Sequence, residues 1–325
     1  MITRLHDIKR LLAAMVLTTV VAFGAMAQVD AAFSHTWIGQ GYYNPAAAGE
    51  FNAIHLTLGS RMQWVDFKHA PMSFYLTADM PYKLLEQQWG VGVKAEFERI
   101  GLYTNTRIGA QLAYKRKFGK KTLSVGVQPG IFSQTFRGHE IITTKEQEMT
   151  PDEAIKKEDV SGTVFDANVG VFFSAPHYWV GASVTHVTAP SIELRQTRES
   201  IDYYEFDISR GYYFMAGGNI PIKNTLFELM PSMMFKTDLN FWQAEATARV
   251  RYNKFLSAGV GYRYQDALSV QIGAEFKNFF IGYNYDWPLT EIRVSGGSHE
   301  VFVSYNVKLD MGEKNRNSHK SIRIM

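Results

Sequence analysis

The residues best suited to metal binding in this 325-residue chain are its nine histidines, because the sequence contains no cysteine. Without cysteine, neither a disulfide framework nor a thiolate metal site can form. The histidines show no H-x-x-x-H or H-E-x-x-H spacing, which would place two ligands on one helix face. We therefore predict no metal site and no cofactor. Separate segments of the chain carry His139, His177, His186, His299 and His319.

Acid–base and acyl-transfer chemistry have little support in the residue spacing. His299 and Glu300 are adjacent in an alternating stretch, and adjacent residues of a strand point to opposite faces. A serine nucleophile would need a base and an oxyanion-binding turn, and no G-x-S-x-G motif occurs. The glycines before Ser298 are better explained as a turn into a strand. We therefore expect a protein that is not an enzyme.

Strands must position these side chains, because apolar and polar residues alternate along much of the chain. From Trp242 to Tyr252 the even positions are Trp, Ala, Val and Tyr, whereas the odd positions are Gln, Glu, Thr and Arg. Segments 267–276 and 301–309 repeat this period of two, which is typical of strands with one apolar and one polar face. The polar face carries Lys94, Glu96, Glu245, Arg249, Arg251, Arg263 and Glu275.

Strand length favours a membrane barrel over a soluble β-sandwich, which would show the same alternation. The alternating runs extend over about 9 to 12 residues, the length that a tilted strand needs to cross a bilayer. Aromatic residues flank the runs, as they do at the two interfaces of outer-membrane barrels. We predict an all-β protein, a transmembrane antiparallel β-barrel of outer-membrane type. The inward charges could line a solute path, but we favour a ladder of ion pairs that fills the interior.

Fourteen strands are predicted, and an even number places both chain ends on one side, which we assign to the periplasm. With that register the long segments 134–163, 188–211 and 286–297 all fall on the opposite, outer side. The longest periplasmic connection is expected at 81–88. The strands are placed near 51–62, 72–80, 89–97, 104–116, 121–133, 164–174, 178–187, 212–221, 227–237, 242–252, 255–265, 267–276, 279–285 and 298–309.

The two ends of the chain differ from the barrel. Residues 1–27 have a basic start, a short apolar run and an Ala-x-Ala exit, which predicts a secretory signal peptide cleaved before Gln28. Removal of this segment leaves 31 basic and 30 acidic residues. The net charge of the mature chain therefore gives no reason to expect nucleic-acid binding. Residues 28–50 lack alternation and are predicted to plug the barrel or follow its rim. Residues 51–309 form the barrel, and 310–325 form a basic periplasmic tail.

Several motifs follow one another along the mature chain, and they contain the stretch 281–286 together with Phe33, Ser34, Tyr43, Asn44, Pro45, Ala46, Gly49, Arg61, Gln63, Trp64, His299, Glu300, Lys320 and Arg323. These motifs resemble the PorP/SprF family of type IX secretion and gliding-motility proteins of Bacteroidota. The order of the motifs is more specific than any one of them. Two departures are Asp30-Ala31, where we associate an acidic-Pro pair with the family, and a long segment 134–163. We consider the individually named residues of these motifs as candidate partner contacts.

The resemblance implies a non-catalytic outer-membrane component that supports export or surface display of secreted proteins. Its partners would be outer-membrane lipid, periplasmic secretion components and a secreted surface adhesin. A diffusion channel or substrate-specific porin is the alternative.

The connections add a charge asymmetry to these expectations. Segment 137–161 contains four basic and seven acidic residues, and a short helix is predicted at 151–158 from its capping residues. An acidic outer rim and a basic tail could each dock a partner of opposite charge; the alternative is ordinary solubility.

Overall fold

The alternating segments pair edge to edge in the computed structural model, which describes residues 30–140, 158–196 and 203–308. Within these residues fourteen antiparallel strands follow one another around a ring, and the last pairs with the first. The predicted fourteen-stranded antiparallel barrel is therefore confirmed. Its strands are β1 (Ala53–Met62), β2 (Met72–Leu84), β3 (Gln87–Ile100), β4 (Tyr103–Phe118), β5 (Lys121–Phe136), β6 (Val160–Ala175), β7 (Tyr178–Thr185), β10 (Gly211–Gly218), β12 (Phe227–Thr237), β13 (Trp242–Tyr252), β14 (Leu256–Arg263), β15 (Ala267–Phe276), β16 (Phe279–Pro288) and β17 (Ser298–Lys308).

The barrel wall is apolar outside and polar inside, the reverse of a soluble sandwich. On β1, Leu58 is 54% exposed while its neighbour Thr57 is fully buried. The same contrast separates Val93 from Lys94 on β3. Because an exterior of Leu, Val, Ile and Phe is stable only against an apolar medium, the surface is that of a membrane barrel. No helix in the described part of the chain is long and apolar enough to cross a bilayer.

The two ends of the barrel differ in the length of their connections. At one end, which we name the short-turn rim, strands join through two-residue turns such as Leu85–Glu86 and the longer connection 219–226. At the other, the long-connection rim, segments 137–159 and 186–210 join strands. All the long segments thus share one rim, as the strand count predicts.

Four details differ from, or add to, the sequence-based expectations. Segment 81–88 is not a long connection, because Pro81 and its neighbours continue β2 and pair with β3. Within 188–211, a hairpin of β8 (Ser191–Leu194) and β9 (Tyr204–Asp207) packs Ile192 against Phe132 of the wall. Trp64 lies in the β1–β2 connection, where it lines a cavity rather than flanking the outer wall. A two-residue strand, β11 (Ile220–Pro221), pairs with β12.

The barrel interior is filled by residues 30–50, which we name the plug. It contains a one-turn helix, α1 (Gln40–Tyr43), and a 3₁₀ turn, Pro45–Ala47. Asp30 lies beside Thr185 and Gly211 at the long-connection rim, whereas β1 starts from the short-turn rim. The described chain therefore begins and ends at opposite rims. The expectation that both termini lie on one side counted strands and not the passage of the plug through the lumen, and the termini themselves lie outside the described residues.

Four predicted features lie outside the described residues. They are the signal peptide 1–27, most of the predicted helix 151–158, the tail 310–325, and with it Lys320 and Arg323.

Candidate functional site

The plug forms a 3₁₀ turn inside the lumen, and Asn44 caps the start of that turn. The side chain of Asn44 accepts a hydrogen bond from the Ala46 amide at 2.9 Å, and Pro45 occupies the first position of the 3₁₀ turn. Asn44 also donates through Nδ2 to the carbonyls of Val171 and Ala182, at 3.0 and 3.2 Å. The turn is thus fixed both within the plug and against strands β6 and β7.

A buried charge cluster holds the first half of the plug. Glu300 of β17, which is fully buried, accepts hydrogen bonds from the Ser34 amide at 2.9 Å and from Nδ1 of His35. Arg61 bridges two carboxylates, donating to Glu300 and to Asp286 at 2.7 Å each. Arg263 binds Asp286 at 3.2 Å and Glu245 at 2.9 Å. Such buried ions are tolerable only because each is paired and hydrogen-bonded.

Ser34, His35 and Glu300 have the residue types of a hydrolytic triad but not its geometry. The Ser34 hydroxyl donates to Asp286 at 3.1 Å and accepts from Arg61 and Arg263, so its bonding capacity is used. The His35 ring binds Glu300 through Nδ1 and the Tyr75 hydroxyl through Nε2, at 2.7 Å for the latter. It also stacks on Phe302 with ring centroids 4.1 Å apart. These contacts make the cluster an anchor for the plug.

The second half of the plug also binds strands β3 and β4. The Tyr42 hydroxyl donates to Glu96 at 2.8 Å, and Lys94 donates to the Tyr42 carbonyl at 3.1 Å. Arg107 pairs with Glu96 at 2.7 Å. Among the predicted lumenal charges, pairing across strands is therefore common, and several pairs also contact the plug.

Strand glycines create the space in which the second half of the plug lies. A Cβ atom added to Gly90 would lie 1.8 Å from the Ala48 carbonyl oxygen, and one added to Gly170 would lie 2.1 Å from Oδ1 of Asn44. At Gly126 it would lie 2.4 Å from the Ala46 amide nitrogen. Side chains at these positions would occupy the volume of the plug, which explains why strands otherwise rich in β-branched residues carry glycine here.

Asp30 fixes the start of the described chain at the long-connection rim. Its carboxylate accepts from the Tyr213 hydroxyl at 2.6 Å and from Thr185 at 3.0 Å, and lies 3.0 Å from Nε2 of His186. Nδ1 of the same histidine contacts Asp166. Burial lowers the pKa of His186, but the neighbouring Asp30 and the Asp166 hydrogen bond outweigh it and raise that pKa to about 9. The protonated His186 ring thus bridges the carboxylates of Asp30 and Asp166.

Two larger cavities lie beside the plug in the part of the chain that the structure describes. The outer cavity, at the long-connection rim, has a volume of about 350 Å³ and is lined by Arg61, Gln63 and Trp64 among others. The inner cavity, at the short-turn rim, has a volume of about 310 Å³ and is lined by Trp37 and Arg249 among others. Within the described residues no group of three His, Asp or Glu could hold a metal ion.

The structure brings most of the predicted site residues together inside the lumen. Arg61 and Glu300 join Ser34 in the charge cluster, whereas Gln63 and Trp64 line the outer cavity. His299 lies on the outer face of β17, where Nδ1 is 2.6 Å from the Tyr283 hydroxyl. The remaining described members are plug residues buried against the wall: Phe33, Tyr43, Asn44, Pro45, Ala46 and Gly49.

Sequence reasoning missed His35, Asp30 and Asp286 as members of the site. His35 follows Ser34 directly, and Asp286 ends a stretch already associated with the family, so each had a local signal. Asp30 stands out in the sequence only as a departure from the family pattern. None of the three could be assigned a partner, because their contacts join residues up to 265 positions apart.

Several solved structures match most of this chain at low sequence identity. The Pseudomonas putida toluene transporter TodX shares 10% identity, with 86% of this chain and 95% of that chain covered and a TM-score of 0.47. A TodX deletion mutant, described as a monoaromatic hydrocarbon channel, shares 12% with coverage of 89% and 97% and a TM-score of 0.46. A Pseudomonas aeruginosa FadL homologue shares 10%, with coverage of 81% and 92% and a TM-score of 0.42. Likeness at this level assigns no ligand to this chain.

A search among curated proteins finds no significant match. The comparison with protein families gives a result that covers most of the chain. The model described as type IX secretion system membrane protein PorP/SprF matches residues 25–305, which include the plug and nearly the whole barrel. The chain therefore belongs to the PorP/SprF family of type IX secretion system membrane proteins.

Proposed function

We propose that the protein is a non-catalytic outer-membrane barrel of the type IX secretion and gliding machinery that supports export or surface display through protein contacts. The observation that carries the proposal is the occupied lumen. Ser34 and Tyr42, at two levels of the plug, are each hydrogen-bonded to a buried carboxylate of the wall. A barrel whose interior is fixed in this way can present its rims to partners without conducting solutes.

The orientation follows the usual arrangement of such barrels, with the long connections outside and the short turns in the periplasm. Lys308 then faces the periplasm, and the tail 310–325 extends towards periplasmic secretion components. Asp30, which contacts Thr185 and Tyr213, then lies at the outer mouth. The acidic segments 137–161 and 188–211 are placed where a basic domain of a secreted adhesin could dock.

Affinity purification of the tagged full-length protein from native membranes tests this function. We expect secretion components or one large surface protein to copurify. A variant lacking residues 310–325 should retain a folded, heat-modifiable barrel and lose part of the periplasmic components. Recovery of the same components with and without the tail would remove the tail from the proposal.

Conductance in planar bilayers separates this function from that of a porin. The unsubstituted protein should show little conductance, because the plug divides the lumen. A large, steady conductance together with no copurifying protein would favour the channel instead.

A further inference from the structure

Arg249 of β13 differs from the other buried arginines of the lumen in having no carboxylate partner. It is only 3% exposed, yet among the described residues no Asp or Glu lies within ion-pair distance of its guanidinium. Its polar contact is from Nη2 to the sulfur of Met230 at 3.4 Å, and Nε has no hydrogen-bond partner. By contrast, Arg61 and Arg263 each bind two or more carboxylates.

The guanidinium of Arg249 lies in the wall of the inner cavity, where it packs on the ring of Trp37 at 3.0 Å from the centroid. Aromatic side chains provide much of the remaining lining, so an occupant would contact mainly apolar surface. A buried cation next to an aromatic cavity is an arrangement that receives an anionic group attached to an apolar body. The aromatic lining consists of Trp37, Phe51, Phe172, Trp179 and Phe280.

The charges around the cavity favour a ligand that carries a single negative charge. Glu50 is paired with Lys115 at 3.0 Å, and Arg251 is paired with Glu228 and with Glu275, at 3.5 Å for the latter. This leaves Arg249 as the unpaired charge of the described lining. A dianion such as a phosphate monoester would meet the carboxylates of Glu50 and Glu275 with only one free cation to receive it, whereas a carboxylate matches that cation.

We propose that the inner cavity binds a carboxylate carried on an apolar or aromatic body, with Arg249 receiving the carboxylate and Trp37 contacting the body. The cavity is lined by residues at the short-turn ends of the strands, so the ligand enters from that rim. Two sources share this chemistry: a free aromatic acid, and the C-terminal residue of an extended polypeptide.

Tryptophan fluorescence tests the proposal, because Trp37 and Trp179 both line the cavity. The full mature chain in detergent is titrated with N-acetylphenylalanine and with its uncharged amide. We expect the acid to bind at least about tenfold more tightly than the amide, as loss of a charged hydrogen bond implies. Because this comparison uses the unsubstituted protein, it does not depend on the folding of a variant.

Substitution of the arginine provides the second measurement. Arg249→Gln should weaken binding of the acid about tenfold and leave the amide little changed. Arg116→Gln, which removes an exposed arginine from β4, is the matched control and should change neither affinity. Equal affinities for acid and amide, absence of any binding, or an unaltered affinity in Arg249→Gln would each overturn the proposal.

Peptides distinguish the two sources. A ten-residue peptide ending in phenylalanine with a free carboxylate is compared with the same peptide carrying a C-terminal amide. Binding of the free peptide as tight as that of the small acid assigns the site to a polypeptide terminus. Binding of the small acid alone assigns it to a free acid, and both results support the carboxylate site.

Discussion

At the scale of single residues, Glu300 links the plug to the wall through several partners. It is the one carboxylate that receives the Ser34 amide, the His35 ring and Arg61. Removing one partner of a buried pair leaves the other charge without compensation. Residues of this kind are the ones for which a conservative substitution has a large effect.

Glu300→Gln should lower the free energy of unfolding by roughly 3–5 kcal/mol, because the buried Arg61 loses one of its two carboxylates. The measurement is urea unfolding in lipid vesicles. Glu275→Gln is the matched control: that pair is partly solvated, with 3.5 Å to Arg251, and its loss should cost less than about 1 kcal/mol. Equal losses in the two variants would contradict the anchoring role of Glu300.

His186 gives the plug a pH dependence at the long-connection rim. Its pKa rises from 6.5 to about 9 on folding, so its stabilising contribution is complete below about pH 6.5 and is lost as the pH rises through 9. Burial would raise the pKa of Asp30, but His186 and Arg107 hold it well below its usual value. The stabilisation contributed by the Asp30 carboxylate is therefore lost only in acid.

The unfolding free energies of the unsubstituted protein and His186→Gln should therefore differ most near pH 6. The difference should shrink towards zero by about pH 10. The same urea titration, repeated across this range, measures it. A difference that stays constant with pH would show that His186 acts without its charge.

The direction of side chains at this scale could be predicted from sequence, but their partners could not. Alternation alone placed Lys94 and Glu96 in the lumen, where the structure has them buried. The pairing of His35 with Glu300 joins an irregular segment to the last strand, and no local pattern carries that information. Contacts of the plug are therefore the part of the site that sequence reasoning missed.

At the scale of secondary-structure elements, strands could be predicted where the alternation of apolar and polar residues is long. Turns could not be predicted where they lack Gly, Asn, Asp or Pro. β13 and β15 have the predicted bounds. The β2–β3 turn at Leu85–Glu86 has φ of 48° and 62°, a left-handed pair usually formed by Asn and Gly. Because neither residue indicates a turn, the sequence predicts a connection over 81–88, although β2 continues through Pro81 and pairs with β3.

The contact between the plug and the glycines of the wall is the element-scale feature most open to test. Gly126→Val should prevent Ala46 from seating, because even a Cβ would lie 2.4 Å from its amide nitrogen. The barrel should still close, since the strand pairing is unaltered, but chymotrypsin should now cut at the aromatic residues of the plug. Bilayer conductance should rise in parallel.

Gly119→Asn is the control for this substitution. Gly119 has φ of 63° in the β4–β5 turn with no atom within 4 Å of an added Cβ, and asparagine tolerates that conformation. This variant should remain resistant to chymotrypsin and conduct as little as the unsubstituted protein. If Gly126→Val behaved identically to it, close packing of plug and wall would not be what closes the lumen.

At the scale of the whole molecule, the plug determines which rim each end of the described chain reaches. Counting strands correctly gave the barrel and the shared rim of the long connections. It could not give the position of Asp30, because a segment without periodicity carries no signal of the path it follows. The consequence is a molecule whose barrel is threaded by its own N-terminal segment.

Single cysteines test this path without interference, because the native sequence has none. With the long connections outside, Val29→Cys next to Asp30 should react with a membrane-impermeant maleimide on intact cells. Leu239→Cys, in the 74% exposed position of the β12–β13 connection, should react equally. Lys254→Cys, in the β13–β14 turn of the short-turn rim, should react only after the outer membrane is permeabilised. Labelling of Val29→Cys that follows Lys254→Cys instead of Leu239→Cys would place the start of the mature chain in the periplasm and exclude the threaded path.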